Sequence, residues 1–474
     1  MSAARAAGAL ALALGAVLVP ATLQAQTGTA AEGQGVRAPR DLEAELDRLR
    51  ARVTELEARG GADTAEAADY RRLLEARQDR VQGERSPIED RGNLDDRQWP
   101  AARPDDRTLD PEYRGFIPVP NTQAMIRFNF KPRLDATIDN RNTGNRYRFV
   151  PGRFPLEGSP GYGGGEQFNL NGNGTQFSID VRAPDAPGNF RFYYQNDFFG
   201  SDAADMRFRL QHAYGQYYNI VAGFTYSVFE DPDAWPDTVD YEGPNSVIFA
   251  RRPVIHYIVP FDDAWNATFG LEKPDLYLDT SFDPTAFLVT KAPDVGANLR
   301  WEEEGVGHMQ LSGILRSLGA KGQVVGEQDE LCWGLNLSAG LHVDEQNFVV
   351  GLVVAGEGIA GMGNDTSFWA SDGAFSASGG LEAMPYYSGL LAFTHNWCEA
   401  WRSTAVYGHA QLDNASGQAA DFFHVSRYAS LNLVHQVGPR LSVGAELLYG
   451  AREAKGGAES DVIRFQLSLV YSLF

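Results

Sequence analysis

The alternation of polar and apolar positions has a period of two over most of the chain. From Met125 to Asp135 the even positions are Ile126, Phe128, Phe130, Pro132 and Leu134. The odd ones are Arg127, Asn129, Lys131, Arg133 and Asp135. An extended strand with this spacing is apolar on one face and charged on the other. Phe177, Ile179 and Val181 likewise alternate with Gln176, Ser178, Asp180 and Arg182, and Phe190, Phe192 and Tyr194 with Arg191, Tyr193 and Gln195. Met309, Leu311, Gly313 and Leu315 alternate with His308, Gln310, Ser312 and Arg316. Near the C-terminus Ile463, Phe465, Leu467, Leu469 and Tyr471 oppose Arg464, Gln466 and Ser468. A soluble sandwich also alternates, but aromatics on one face of strand after strand fit a face turned to lipid.

Turn signals divide these strands into two alternating kinds of connection. Short ones are Ala183 to Pro187, Pro260 to Asp263, Glu302 to Gly307, His342 to Gln346, Asn396 to Glu399 and Gly438 to Arg440. Long ones fall near 138–174, 197–206, 228–248, 274–291, 319–331, 356–384, 411–421 and 452–460. Short turns on one rim and long loops on the other are the habit of outer-membrane barrels. The expected fold is all-β, a sixteen-stranded antiparallel transmembrane barrel over 117–474. Phe474 ends the last strand, as in exported barrels read by the barrel-assembly machinery. It is out of phase with Tyr471, which a terminal bulge would reconcile.

The N-terminus reads differently. Arg5, the apolar stretch Ala6 to Pro20 and Leu23-Gln24-Ala25 form a secretory leader over 1–25. Residues 26–82 hold a small, polar segment and then Leu42, Leu46, Leu49, Val53 and Leu56, spaced as an a/d stripe. Helices this short need a partner. A self-associating periplasmic coiled coil is expected, and packing on the protein's own body is the alternative. A polar linker rich in Arg, Asp and Pro occupies 83–116.

Charge narrows the function. The 474 residues carry 41 Lys and Arg against 62 Asp and Glu, a net charge of −21. Such a chain is a poor partner for nucleic acid. Two cysteines exclude a disulfide framework. The mean hydropathy of −0.32 looks soluble, but barrels with polar interiors give little hydropathy signal.

Several stretches resemble the DcaP-type trimeric porins of Gram-negative outer membranes. They are Ile117-Pro118-Val119-Pro120, Arg207 to Gly215, Ala222 to Phe229, Asp240 to Asn245, Arg251 to Tyr257, Trp333 to Ser338, and His395-Asn396-Trp397 with Ala400 to Thr404. Their order and spacing span about 117–474. The resemblance implies a sixteen-stranded barrel in outer-membrane lipid, a homotrimer, a periplasmic N-terminal coiled coil, and uptake of small anionic solutes such as dicarboxylates.

Strand phase then assigns a lumen face to Arg127, Lys131, Arg133, Arg182, Arg191, Arg207, Arg209, Arg252, Arg300, Arg316, Arg402 and Arg464. Acids in that phase are fewer: Asp135, Asp180, Asp197 and Glu446. A guanidinium-lined channel would concentrate anions. The alternative is that these arginines pair with loop acids and hold the loops. In sixteen-stranded porins the third long loop folds inward. By that resemblance Asp231, Asp233, Trp235, Asp237, Asp240 and Glu242 form the constriction. Cys332 and Cys398 fall at opposite ends of the barrel, beyond disulfide reach. Eight histidines include no nucleophile motif and no metal-spaced pair, so no catalytic residue, metal or cofactor is expected. A non-conducting structural or adhesive barrel is the second reading, and an outer-membrane hydrolase the third.

Overall fold

A computed structural model describes residues 115–184, 186, 188–200 and 206–472. The leader, the coiled-coil positions Leu42 to Leu56, nearly all of the linker, and Phe474 lie outside the described residues.

The described chain pairs as sixteen antiparallel strands. β1 has two segments, Met125–Lys131 and Arg133–Asp139, and β2 has Gln167–Asn171 and Gln176–Ala183. Then come β3 (Phe190–Asp197), β4 (Arg209–Tyr217), β5 (Ile220–Tyr226), β6 (Arg251–Pro260), β7 (Trp265–Glu272) and β8 (Asp294–Glu303). The remaining strands are longer: β9 (Gly307–Gly322), β10 (Gly326–His342), β11 (Asn347–Glu357), β12 (Pro385–Cys398), β13 (Trp401–Leu412), β14 (Phe423–Gln436), β15 (Leu441–Ala454) and β16 (Glu459–Tyr471). Each pairs with the next in sequence. β16 closes the ring on β1, with Arg464 opposite Asp139 and Val470 opposite Arg133. A closed ring leaves no strand edge to hydrocarbon, where an unpaired N–H or C=O costs several kcal/mol.

Pro132 divides β1 because it has no N–H to give the ladder. Its carbonyl accepts from Tyr471 N at 3.0 Å. Thr175 marks the matching break in β2, accepting from Arg133 N at 3.1 Å. A short arm, Ile117–Pro118, pairs with Met125 and Ile126 ahead of this break.

Exposed side chains such as Phe128, Phe130, Leu134, Leu311, Leu335, Leu391, Leu431 and Ile463 form an apolar outer face. Their neighbours in sequence point inward. The expected alternation of short and long connections holds, with three changes. The tight turn Tyr218–Asn219 between β4 and β5 carries none of the usual Gly or Pro, and Tyr218 itself adopts φ 50°. The expected long loops at 319–331 and 452–460 are mostly strand. β9 and β10 continue to a three-residue turn, with Gly322 paired to Gly326, and β15 and β16 pair out to Glu453 and Glu459.

Cys332 faces inward from β10 and is buried, Cys398 ends β12 at the short-turn rim and is exposed, and both are free thiols. We predict that a membrane-impermeant maleimide labels one thiol per folded chain, at Cys398. Cys332 reacts only after denaturation, as mass mapping will show.

Candidate solute path and its inward loop

The third long loop, residues 227–250, lies inside the barrel and is fastened around the wall. At its start Val228 N donates to Glu272 of β7 at 2.7 Å. Asn336 Nδ2 of β10 donates to Phe229 O, and Gln310 Nε2 of β9 to Glu230 O. Asp231 accepts from Arg300 of β8 at 3.2 Å, from Ser338 Oγ at 2.6 Å, and contacts His308 Nε2 at 3.1 Å. Asp233 accepts from Arg300 Nη2 at 2.6 Å. The loop then crosses the interior. Asp237 binds Arg402 of β13, and its carbonyl accepts from Asn432 of β14. Val239 O accepts from Arg133 of β1 and Gln466 of β16. Asp240 N donates to Glu446 of β15.

On the far side Tyr241 Oη donates to Asp197 of β3 and accepts from Gln176 and Gln211, all at 2.9 Å. Glu242 pairs with Arg148 of the first long loop at 3.2 Å. Trp235 packs against Tyr226 and Phe249 at the root of the loop. All six residues expected in the constriction therefore lie on an inward loop.

The arginines of the wall are countered by acids. Arg464 binds Asp139 through two bonds of 2.6 and 2.9 Å. Arg133 meets Asp135 at 2.8 Å, and Arg209 meets Asp197 at 2.9 Å. Arg252 and Arg316 share Asp294, each at 2.9 Å. Arg316 continues to Asp372 of the sixth long loop and donates to Asp275 O and Gly358 O. This chain of charges ties the fourth and sixth loops to the wall. Lys131 is half-buried on the inward face of β1. Arg207 precedes β4 and is exposed, outside the strand wall.

Two places gather like charges, and they lie about six strands apart on the sixteen-strand ring. Arg300 faces three carboxylates, Asp231, Asp233 and Glu302. Arg127, Arg182 and Arg191, on β1 to β3, all meet the carboxylate of Asp180, at 3.8, 3.0 and 3.0 Å. Inner side chains near this second cluster, including Asn129, Lys131, Gln176 and Ser178, are only half-buried.

The opposite interior is filled. Phe348, Val350, Leu352 and Val354 make the inward face of β11 apolar. With Tyr386, Leu390, Val406 and Tyr428 they pack against Phe149 and Phe154 of the first loop, Phe229, Val247 and Ile248 of the third, and Met362 of the sixth. Among the described residues no group of His, Cys, Asp and Glu is placed to hold a metal ion.

A profile of the family described as "DcaP outer membrane protein" matches residues 114–473. The chain belongs to the DcaP family of outer-membrane proteins. The crystal structure of the outer-membrane channel DcaP of Acinetobacter baumannii superposes with a TM-score of 0.64 at 19% identity, covering 74% of this chain and 97% of that one. An anion-selective porin from Comamonas acidovorans gives 0.50 at 12% identity, over 74% and 100% of the two chains. No curated protein matches. Family and fold place this chain in the outer membrane as a porin-type barrel.

Within this DcaP-family barrel, several anchoring residues escaped the sequence reading. Asp294 shares the inward phase of Asn298 and Arg300, so phase alone could have found it. Asp372, Arg148 and Asp365 are loop residues with no periodic signal. Asp365 accepts from Gly152 N at 2.8 Å, joining the sixth loop to the first. A Cβ at Gly152 would lie 2.9 Å from Asp365 O, so the contact needs glycine. Burial pushes the Asp365 carboxyl up to about 7 and raises that of Asp372, while neighbouring His308 and Arg300 hold Asp231 well below the carboxylate range despite its burial.

A carboxyl raised in the folded state favours folding when protonated. The Asp365 contribution is thus present below its ordinary value near 4 and is lost as pH climbs toward about 7. We predict that Asp365→Asn flattens the pH dependence of thermal unfolding between about pH 4 and 7. Arg316→Ala strands two buried carboxylates and is predicted to cost about 3–5 kcal/mol, with the deficit growing as pH rises. Heat-modified mobility in SDS gels, measured across pH, checks both.

Proposed function

We propose that this porin is a passive diffusion channel for small anionic solutes such as dicarboxylates. The observation that carries this reading is the Arg127, Arg182 and Arg191 cluster, whose three guanidiniums gather at Asp180 on a half-exposed inner face. Arg presents paired N–H donors that match a carboxylate, and a narrow aqueous path strengthens the attraction. The solute path runs along β1 to β3, because the β11 to β14 side is occupied by the apolar core and the inward loop. Across from the cationic cluster, the acid-rich Arg300 site gives the path a transverse field. The short-turn rim faces the periplasm in this reading. The coiled coil lies there and ties three copies into a trimer, and Phe474 presents the assembly signal.

The filled interior favours a second reading, a barrel that does not conduct. Planar bilayers separate the two. The channel reading predicts discrete conductance and a reversal potential of anion sign in a salt gradient. Changing Arg127, Arg182 and Arg191 together to Gln lowers the anion-to-cation permeability ratio by about three- to tenfold, the scale of removing cationic charge from a screened site. Absence of conductance supports the structural barrel, and cation preference ends the anion reading.

A further inference from the structure

Among the described residues every arginine on the inner face of the strands already has an acceptor. Arg133 meets Asp135, Arg402 meets Asp237 and Arg464 meets Asp139, while Arg452 donates to Phe154 O and Asp421 O. Lys131 differs. It ends the first segment of β1 and is half-buried, and among the described residues nothing hydrogen-bonds or ion-pairs with its ammonium. Phe128 and Phe130 are exposed on the outer face, so Asn129 and Lys131 point inward. Across the ladder Lys131 is opposite Gln176. Directly opposed side chains of an antiparallel pair share a face, with Cβ atoms about 5 Å apart. Gln176 donates to Tyr241 Oη at 2.9 Å, and the Tyr241 ring lies 5.2 Å from the guanidinium carbon of Arg133. Two inner neighbours of Lys131 therefore hold the inward loop by Tyr241, and the lysine stands beside that contact with its charge uncommitted. Asn129 and Ser178, close by on the same face, are half-buried as well.

We propose that Lys131 is a specificity-determining residue of the solute path, the ammonium that a passing carboxylate meets beside the inward loop. The proposal rests on the anion-channel reading. A carboxylate arriving at Arg133 or Arg464 has to displace Asp135 or Asp139 and leave that acid without its partner. At Lys131 no resident acid competes among the described residues. An ammonium is also a compact, strongly hydrated point charge on a flexible stem, so it attracts a carboxylate without clamping it through a rigid fork. Conduction needs sites favourable enough to enter and weak enough to leave. The lysine meets that demand, while the paired arginines hold the wall and the loops around it.

The test measures the succinate-to-potassium permeability ratio of the full chain, from reversal potentials in a potassium succinate gradient across planar bilayers. Lys131→Gln is expected to lower the ratio by about two- to fivefold, the scale of one charge met at contact distance in water. Lys131→Arg keeps it. Lys321→Gln, on the exposed face of β9 beside Glu327, removes the same net charge and also keeps it. Charge is then separated from shape in Lys131→Cys, with Cys332 and Cys398 replaced by Ser. A methanethiosulfonate that attaches an ethylammonium restores the ratio, and one that attaches an ethylsulfonate takes it below that of Lys131→Gln. Equal ratios for the two adducts, a thiol that does not react, or an unchanged ratio in Lys131→Gln each overturn the proposal. If the unaltered protein prefers cations or does not conduct, the anion reading fails first. If it prefers anions and the Lys131 variants match it, only the present inference fails.

Discussion

A strand in hydrocarbon has no water to satisfy its backbone, so each N–H and C=O must find another strand. Here that requirement is met by closing β16 on the second half of β1, Arg464 to Asp139 and onward. The closure fixes the rest. Once the ring is shut, alternate side chains must divide between lipid and lumen. The apolar set goes out, and most charged strand residues go inward, with outward exceptions such as Glu327, Asp329, Arg427 and Asp461. An interior lined with guanidiniums then needs counter-charges. Those counter-charges come from the wall itself, as Asp139, Asp180 and Asp294, and from the loops, as Asp231, Asp237 and Asp372. The loops are thus drawn into the barrel by the charges that closure places there.

Pairing explains how a chain of charge −21 can hold so many inward arginines. A buried cation without a partner is costly, whereas a fork meeting a carboxylate is tolerated. Most of the wall obeys this balance and anchors structure. Arg316 joins three separated segments and is almost without solvent contact. At Arg127, Arg182 and Arg191 three guanidiniums gather at Asp180 on the half-exposed inner face, and the proposed anion path rests on that cluster.

Much of the barrel was legible because period two states directly which side chains share a face. Phase predicts an inward face for Arg127, Asp180 and Arg464 and for the acids Asp135 and Glu446, and their side chains lie on that face. It gave no measure of what lies opposite an inward residue. Arg316 and Asp372 are 56 positions apart, and nothing local links them. The inward apolar face of β11 was also hidden, because Phe348 to Ala355 is almost continuously apolar and such a run loses its alternation. The turn at Tyr218–Asn219 was missed for a related reason. Its residues carry no breaker signal, and the bend is imposed by the pairing of β4 with β5.

The central claim is that solutes pass along β1 to β3 while the opposite interior is packed. Single-channel thiol modification tests it most directly, with Cys332 and Cys398 first replaced by Ser. Ser178 is half-buried on the inner face of β2, whereas Ser388 of β12 is buried and donates to Ser246 O at 2.8 Å. A membrane-impermeant methanethiosulfonate reagent should lower the conductance of Ser178→Cys in steps and leave Ser388→Cys unchanged. Block at Ser388→Cys with Ser178→Cys silent would place the path on the other side and contradict the account.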